Sequence, residues 1–123
     1  MEKDREKVVN ILKQQLKLFL LEAEEFYPFG TYMNMKNEIV PVSAYFDDEE
    51  PSSLKIIGLL EKTFNDYVKK GICKIGIIAI DVVVRNNIEH YNAVEMRFFE
   101  TGKEQYKKYL KYKINEHSVE FLD

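Results

Sequence analysis

The stretch Ile72-Cys73-Lys74-Ile75-Gly76-Ile77-Ile78-Ala79-Ile80-Asp81-Val82-Val83-Val84 decides the fold. Its Ile and Val residues favour extended backbone, where β-branched side chains pack well. It is too apolar for a surface segment and far short of the roughly 20 residues that span a bilayer, so it predicts a central strand. One charge interrupts it. Asp81, flanked by apolar neighbours, would be costly to bury without a partner.

Upstream, Lys69 and Lys70 followed by Gly71 form a helix stop, with bases in the last turn and a residue suited to a left-handed cap. The spacing predicts a helix over Ser52–Lys70 with Leu54, Ile57, Leu60, Phe64, Tyr67 and Val68 on one face. The acidic run Asp47-Asp48-Glu49-Glu50, with Pro51, Ser52 and Ser53, reads as the lead-in to that helix rather than as an acidic binding loop. Further upstream, Thr31–Met35 and Ile39–Phe46 read as strands joined by a turn at Lys36-Asn37-Glu38, and Pro41 places the second at a sheet edge. A first helix is predicted from Lys3 to Phe26, its stripe formed by Val9, Leu12, Leu16, Phe19, Leu20, Ala23 and Phe26. It stops near Tyr27-Pro28, because the residue before proline is pushed out of helical geometry.

Downstream of the central strand a polar loop, Arg85–Tyr91, leads to a strand over Asn92–Phe99. Tyr106–Ile114 alternates: Tyr106, Lys108, Leu110, Tyr112 and Ile114 point one way, and Lys107, Tyr109, Lys111 and Lys113 the other. A strand is the preferred reading, although Tyr106, Tyr109, Leu110 and Lys113 also share a helical face. Ser118–Leu122 is a short terminal strand or tail. The order is helix, hairpin, helix and three strands. It predicts a single α+β domain over 1–123: an antiparallel sheet of about five strands with two helices on one face. This element order is similar to that of profilin-like and roadblock-like folds.

The bulk properties narrow the setting. With 123 residues, 46% of them hydrophobic and 32% charged, the chain can bury a real core. A net charge of −3 argues against non-specific nucleic-acid binding. The single cysteine, Cys73, cannot form an internal disulfide, and the mixed-charge start Met1–Lys7 lacks a signal-like apolar stretch. The expectation is a cytoplasmic protein with no membrane association.

Glu24-Glu25-Phe26-Tyr27-Pro28-Phe29-Gly30, taken with Ile78–Val84 and Asn92-Ala93-Val94-Glu95, resembles a family of small uncharacterised bacterial proteins. In that family an N-terminal helix ends in a Phe-Tyr-Pro-Phe-Gly motif. The resemblance implies a bacterial chain and carries no activity with it, although some such proteins lie near polymorphic toxin loci. The chain departs from the pattern where Val83 and Val84 stand before Arg85, and where Asn92 replaces an expected aspartate.

Two places could carry function. Phe26, Tyr27 and Phe29, around Pro28, could line a pocket, or could wedge the helix end onto the sheet with Gly30 allowing close approach. Alternation along the central strand puts Asp81 and Arg85 on the face away from the helices. Glu95, Arg97, Phe99 and Tyr109 join them there, and a long hairpin loop would place Arg97 across from Asp81 as a cross-strand ion pair. Such an open, half-apolar face suggests a protein partner or a homodimer. Lys103, Lys107, Lys108, Lys111 and Lys113, among tyrosines, have the ingredients of single-strand binding, but also those of a solvated edge strand. His90, His117 and Cys73 share no metal spacing, and no glycine-rich phosphate loop is present, so neither a metal nor a cofactor is expected. The leading functional expectation is a non-catalytic interaction or assembly domain, of which an immunity-type inhibitor is one form. The alternative is a small-molecule-binding domain or enzyme with a pocket beside Phe26–Gly30 and Asp81 as a possible catalytic carboxylate.

Overall fold

The apolar stretch becomes β3 (Cys73–Arg85), an interior strand of a six-stranded antiparallel sheet. The computed structural model describes residues 2–43 and 52–122, so the reading of Asp47 to Pro51 lies outside the described residues. Before β3 come α1 (Glu2–Ala23), β1 (Phe29–Asn34), β2 (Ile39–Val42) and α2 (Ser53–Lys69). After it come β4 (His90–Glu100), β5 (Tyr106–Ile114) and β6 (Val119–Leu122). The spatial order is β2-β1-β3-β4-β5-β6. The terminal segment is therefore a sixth strand, and the stretch after Tyr106 is a strand rather than a helix. β2 lies at an edge, as Pro41 requires.

The fold is α+β with an antiparallel sheet, but the two helices lie on opposite faces, not on one. Val8, Leu12, Leu16 and Leu20 of α1 pack with Met33, Ile75, Ile77, Ala79, Met96 and Phe98. Ile56, Leu60 and Phe64 of α2 pack with Ile78, Ile80 and Phe99. Successive side chains of a strand point to opposite faces, so Ile77 and Ile78 belong to separate cores. The reason is visible in β3 itself. A strand apolar at consecutive positions, not at alternate ones, has two faces to bury. The sheet curls round α1 far enough for Val119 and Phe121 of β6 to reach that core.

Local chemistry sets the element ends. Ser52 caps α2 by accepting a hydrogen bond from the Lys55 N–H, and Gly71, at φ 72°, closes the helix in a left-handed turn. α1 stops at Ala23, earlier than the stripe predicts, and Glu24 takes the left-handed position at φ 62° while its N–H reaches the Leu20 carbonyl. Phe19, assigned to the stripe, is 42% exposed, because the buried line runs through Val8, Leu12, Leu16 and Leu20. Leu54, assigned to the α2 stripe, is 81% exposed, and Ile56 takes its place in the core. Gly30 and Gly76 serve packing. A Cβ on Gly30 would lie 2.5 Å from Cζ of Phe64, whose buried ring fills the space both glycines leave.

Candidate functional site

At the end of the sheet where β1 begins and β2 finishes, the last turn of α1 and the first turn of α2 converge from opposite faces. A cavity of about 410 Å³ lies between them, lined by Phe19, Glu22, Ala23, Glu25, Phe26, Tyr27, Pro28, Phe29, Ser43 and Ile56. This volume is within the range of sites for small organic ligands. The motif Phe26-Tyr27-Pro28-Phe29 shapes it. Because α1 ends early, the connection runs extended past the sheet, burying Pro28 and Phe29 while leaving Tyr27 open to solvent. Phe29 meets Phe19 edge-to-face at 5.1 Å and Phe26 at 5.7 Å between ring centres. Phe26, Tyr27 and Phe29 thus line one cavity. Glu22, Glu25, Phe19 and Ile56 were not anticipated there. The available signal was the acidic group Glu22, Glu24 and Glu25 at and just beyond the end of α1, with no base in its last turn, against the usual charge preference of a helix C-terminus.

Asp81 stands behind this connection, on the α1 side of β3. Its Oδ1 accepts a 2.7 Å hydrogen bond from the Tyr112 hydroxyl, and its carboxylate also takes the Phe26 backbone N–H. Burial pushes the Asp81 carboxyl above its ordinary value, Tyr112 and the Phe26 N–H work against that rise, and the nearby Glu25 charge adds to it. Burial and then Asp81 push the Tyr112 hydroxyl up, so Tyr112 remains a donor. These contacts tie the α1–β1 connection to β3 and β5, which is a positioning role. Asp81 does not line the cavity.

The expected grouping of Asp81 with Glu95 and Arg97 fails on register. Asp81 pairs with Val94 and Arg97 pairs with Ile78, so Asp81 and Arg97 point to opposite faces. Arg97 instead binds Glu61 of α2, and donates from Nε to Glu95 at 2.7 Å. Glu95 Oε1 accepts from the Tyr109 hydroxyl at 3.0 Å. Burial pushes the Glu95 carboxyl up, but its hydrogen bonds to Arg97 and Tyr109, with the charges of Arg97 and Lys107, hold it below its ordinary value. Phe99 is buried beneath α2 against Phe64, and Arg85 is exposed at the end of β3 opposite His90. What remains of the open face is a strip over β4 and β5 beyond α2, holding Glu95, Arg97 and Tyr109.

The lysines of β5 divide between the two faces. β5 lies between β4 and β6, so it is not an edge strand. Tyr112 is buried and Tyr106 stacks on Phe98 at 4.7 Å, which leaves Tyr109 as the exposed tyrosine of this strand. Cys73 is buried, and its burial pushes the thiol up to about 12. Among the described residues no group of three or more His, Cys, Asp or Glu side chains is placed to hold a metal. No helix of the described residues is long and apolar enough to cross a membrane. A second groove of about 520 Å³, between α1 and β5, is bordered by Glu2, Arg5, Glu6, Lys13 and Lys108. No protein-family model matches the chain, and no curated protein or solved structure does.

Proposed function

We propose that this chain is a non-catalytic binding domain whose ligand is a small molecule seated in the cavity at the end of α1. The observation that carries this reading is the cavity wall itself. Phe19, Phe26, Pro28, Phe29 and Ile56 form a continuous apolar lining, with Glu22, Glu25 and Ser43 as the polar groups. Small-molecule sites are built this way, with a mostly apolar wall for affinity and a few polar groups for orientation. Asp81 and Tyr112 support the wall through the Phe26 N–H without facing the cavity, which favours binding over catalysis.

The reading is tested by titrating small apolar fragments into isotope-labelled protein and following backbone amides. Saturable shifts are expected at Ala23, Glu25 and Tyr27, and an Ala23→Trp variant, which fills the cavity, is expected to lose them while remaining folded. Shifts scattered over the surface, or unaffected by Ala23→Trp, would sink it.

A second reading is favoured by the strip over β4 and β5. Tyr109 is 54% exposed there beside the ordered Glu95–Arg97–Glu61 network, an arrangement suited to a protein partner or a second copy of the chain. Concentration-dependent association that Tyr109→Ala abolishes is the outcome expected of it.

A further inference from the structure

We infer that the cavity at the end of α1 selects cations, its occupant being a small organic molecule with an alkylated ammonium head. This deepens the binding reading and rests on it. The wall is aromatic, with Phe19 and Phe26 both set edge-to-face against Phe29 and Tyr27 exposed at the mouth. Aromatic ring faces attract cations electrostatically, and alkylated ammonium groups, weakly hydrated, suit such walls best.

Charge points the same way. Among the described residues, the charged side chains lining the cavity are Glu22 and Glu25, both acidic. Glu22 sits in the last turn of α1 and Glu25 just beyond it, where the helix dipole is already negative and where a cation is normally found. The last turn of α1 supplies no base. Among the described residues α2 contributes Ile56 to the lining, an apolar side chain. Glu25 also acts on Asp81 behind the wall, adding to the rise of that carboxyl. Two carboxylates thus border an apolar hollow, and a cation seated in it would be attracted by both. A hard metal ion suits the site poorly, because such ions require a shell of oxygen ligands that an aromatic wall does not provide.

The experiment compares two probes on the full chain: choline, and its uncharged isostere in which a quaternary carbon replaces the nitrogen. Amide shifts at Ala23, Glu25 and Tyr27 are expected to saturate with choline at roughly tenfold lower concentration than with the isostere. A Glu22→Gln/Glu25→Gln double variant is expected to erase the difference by weakening choline alone, with its remaining amide spectrum showing the fold intact. Equal binding of the two probes overturns cation selection and leaves the cavity as an apolar site. Binding of neither also overturns it, and the fragment titration then decides the binding reading separately.

Discussion

The Tyr112 hydroxyl of β5 donates to Oδ1 of Asp81 on β3 across the intervening strand β4, at 2.7 Å. Together with the Phe26 N–H on the same carboxylate, this bond fixes the connection that shapes the cavity. Asp81→Ala would leave the hydroxyl and the N–H without their acceptor and is expected to destabilise the fold by about 1–3 kcal/mol. Asp81→Asn retains an acceptor oxygen and is expected to stay within about 1 kcal/mol of the parent. The pH dependence separates charge from hydrogen bonding. Asp81 holds its proton more tightly folded than unfolded, so its contribution is most favourable in acid, below its ordinary value of 3.8. That contribution is lost as pH rises through the elevated folded value. Depressed carboxyls such as Glu100 gain stability over the same range in both proteins, so the loss should appear as a fall in the stability of the parent relative to Asp81→Asn as pH is raised from about 3.

Glu100 makes the opposite case. Its side chain is fully buried and 2.9 Å from Arg5 of α1. Burial pushes its carboxyl up, but the Tyr106 and Arg5 side chains and the Lys103 charge together hold it below its ordinary value of 4.5. Its stabilising contribution is therefore present above that value and lost as pH falls through the depressed one. Arg5→Met is expected to cost about 3 kcal/mol at neutral pH, near the low end for breaking a buried pair. Arg5→Met/Glu100→Gln should recover part of that cost and remove its share of the acid sensitivity, both readable from urea midpoints at two pH values.

Gly30→Ala tests the packing of the second core. The new Cβ meets the Phe64 ring at 2.5 Å, so the ring must move within a filled space. A loss of about 1–3 kcal/mol is expected. Combining it with Phe64→Leu should cost clearly less than the sum of the single changes, because both act on one volume.

Glu24 occupies the left-handed cap position of α1, a conformation that disfavours side chains bearing a Cβ. Glu24→Gly is expected to raise stability by up to about 1 kcal/mol, the relief of strain being partly offset by glycine entropy. A thermal midpoint below that of the parent would contradict this account.

Cys73 is sealed beneath the sheet, with its thiol pushed up to about 12. In the folded protein at pH 8 it should resist thiol reagents and react only as the structure opens. Its labelling rate should then rise with urea in step with unfolding, whereas immediate stoichiometric labelling would place it at the surface.

Much of this architecture was legible in the residues. The helix stop at Gly71, the edge position demanded by Pro41 and the alternation from Tyr106 to Ile114 are local signals, and local geometry obeys them. What failed was the assignment of faces. Ile77 and Ile78 are equally apolar, and nothing local says that each needs its own helix. Asp81 misled for the same reason. Whether it faces Arg97 or Tyr112 depends on register across three strands, which turn chemistry and packing decide together. Phe26, Tyr27 and Phe29 were recognisable as a group because they are contiguous. Ile56, brought to them only by the docking of α2, was not.

The strand order also bears on how the chain acquires its shape. From β3 to β6 each strand neighbours the next in sequence, whereas β1 reaches β3 only after the excursion through β2 and α2. Closing a long loop costs more entropy than turning a hairpin. The C-terminal meander is thus the part able to organise first, with β1 zipping onto it late. The cavity at the end of α1, built from the last pieces to dock, should be the region most responsive to destabilising changes elsewhere.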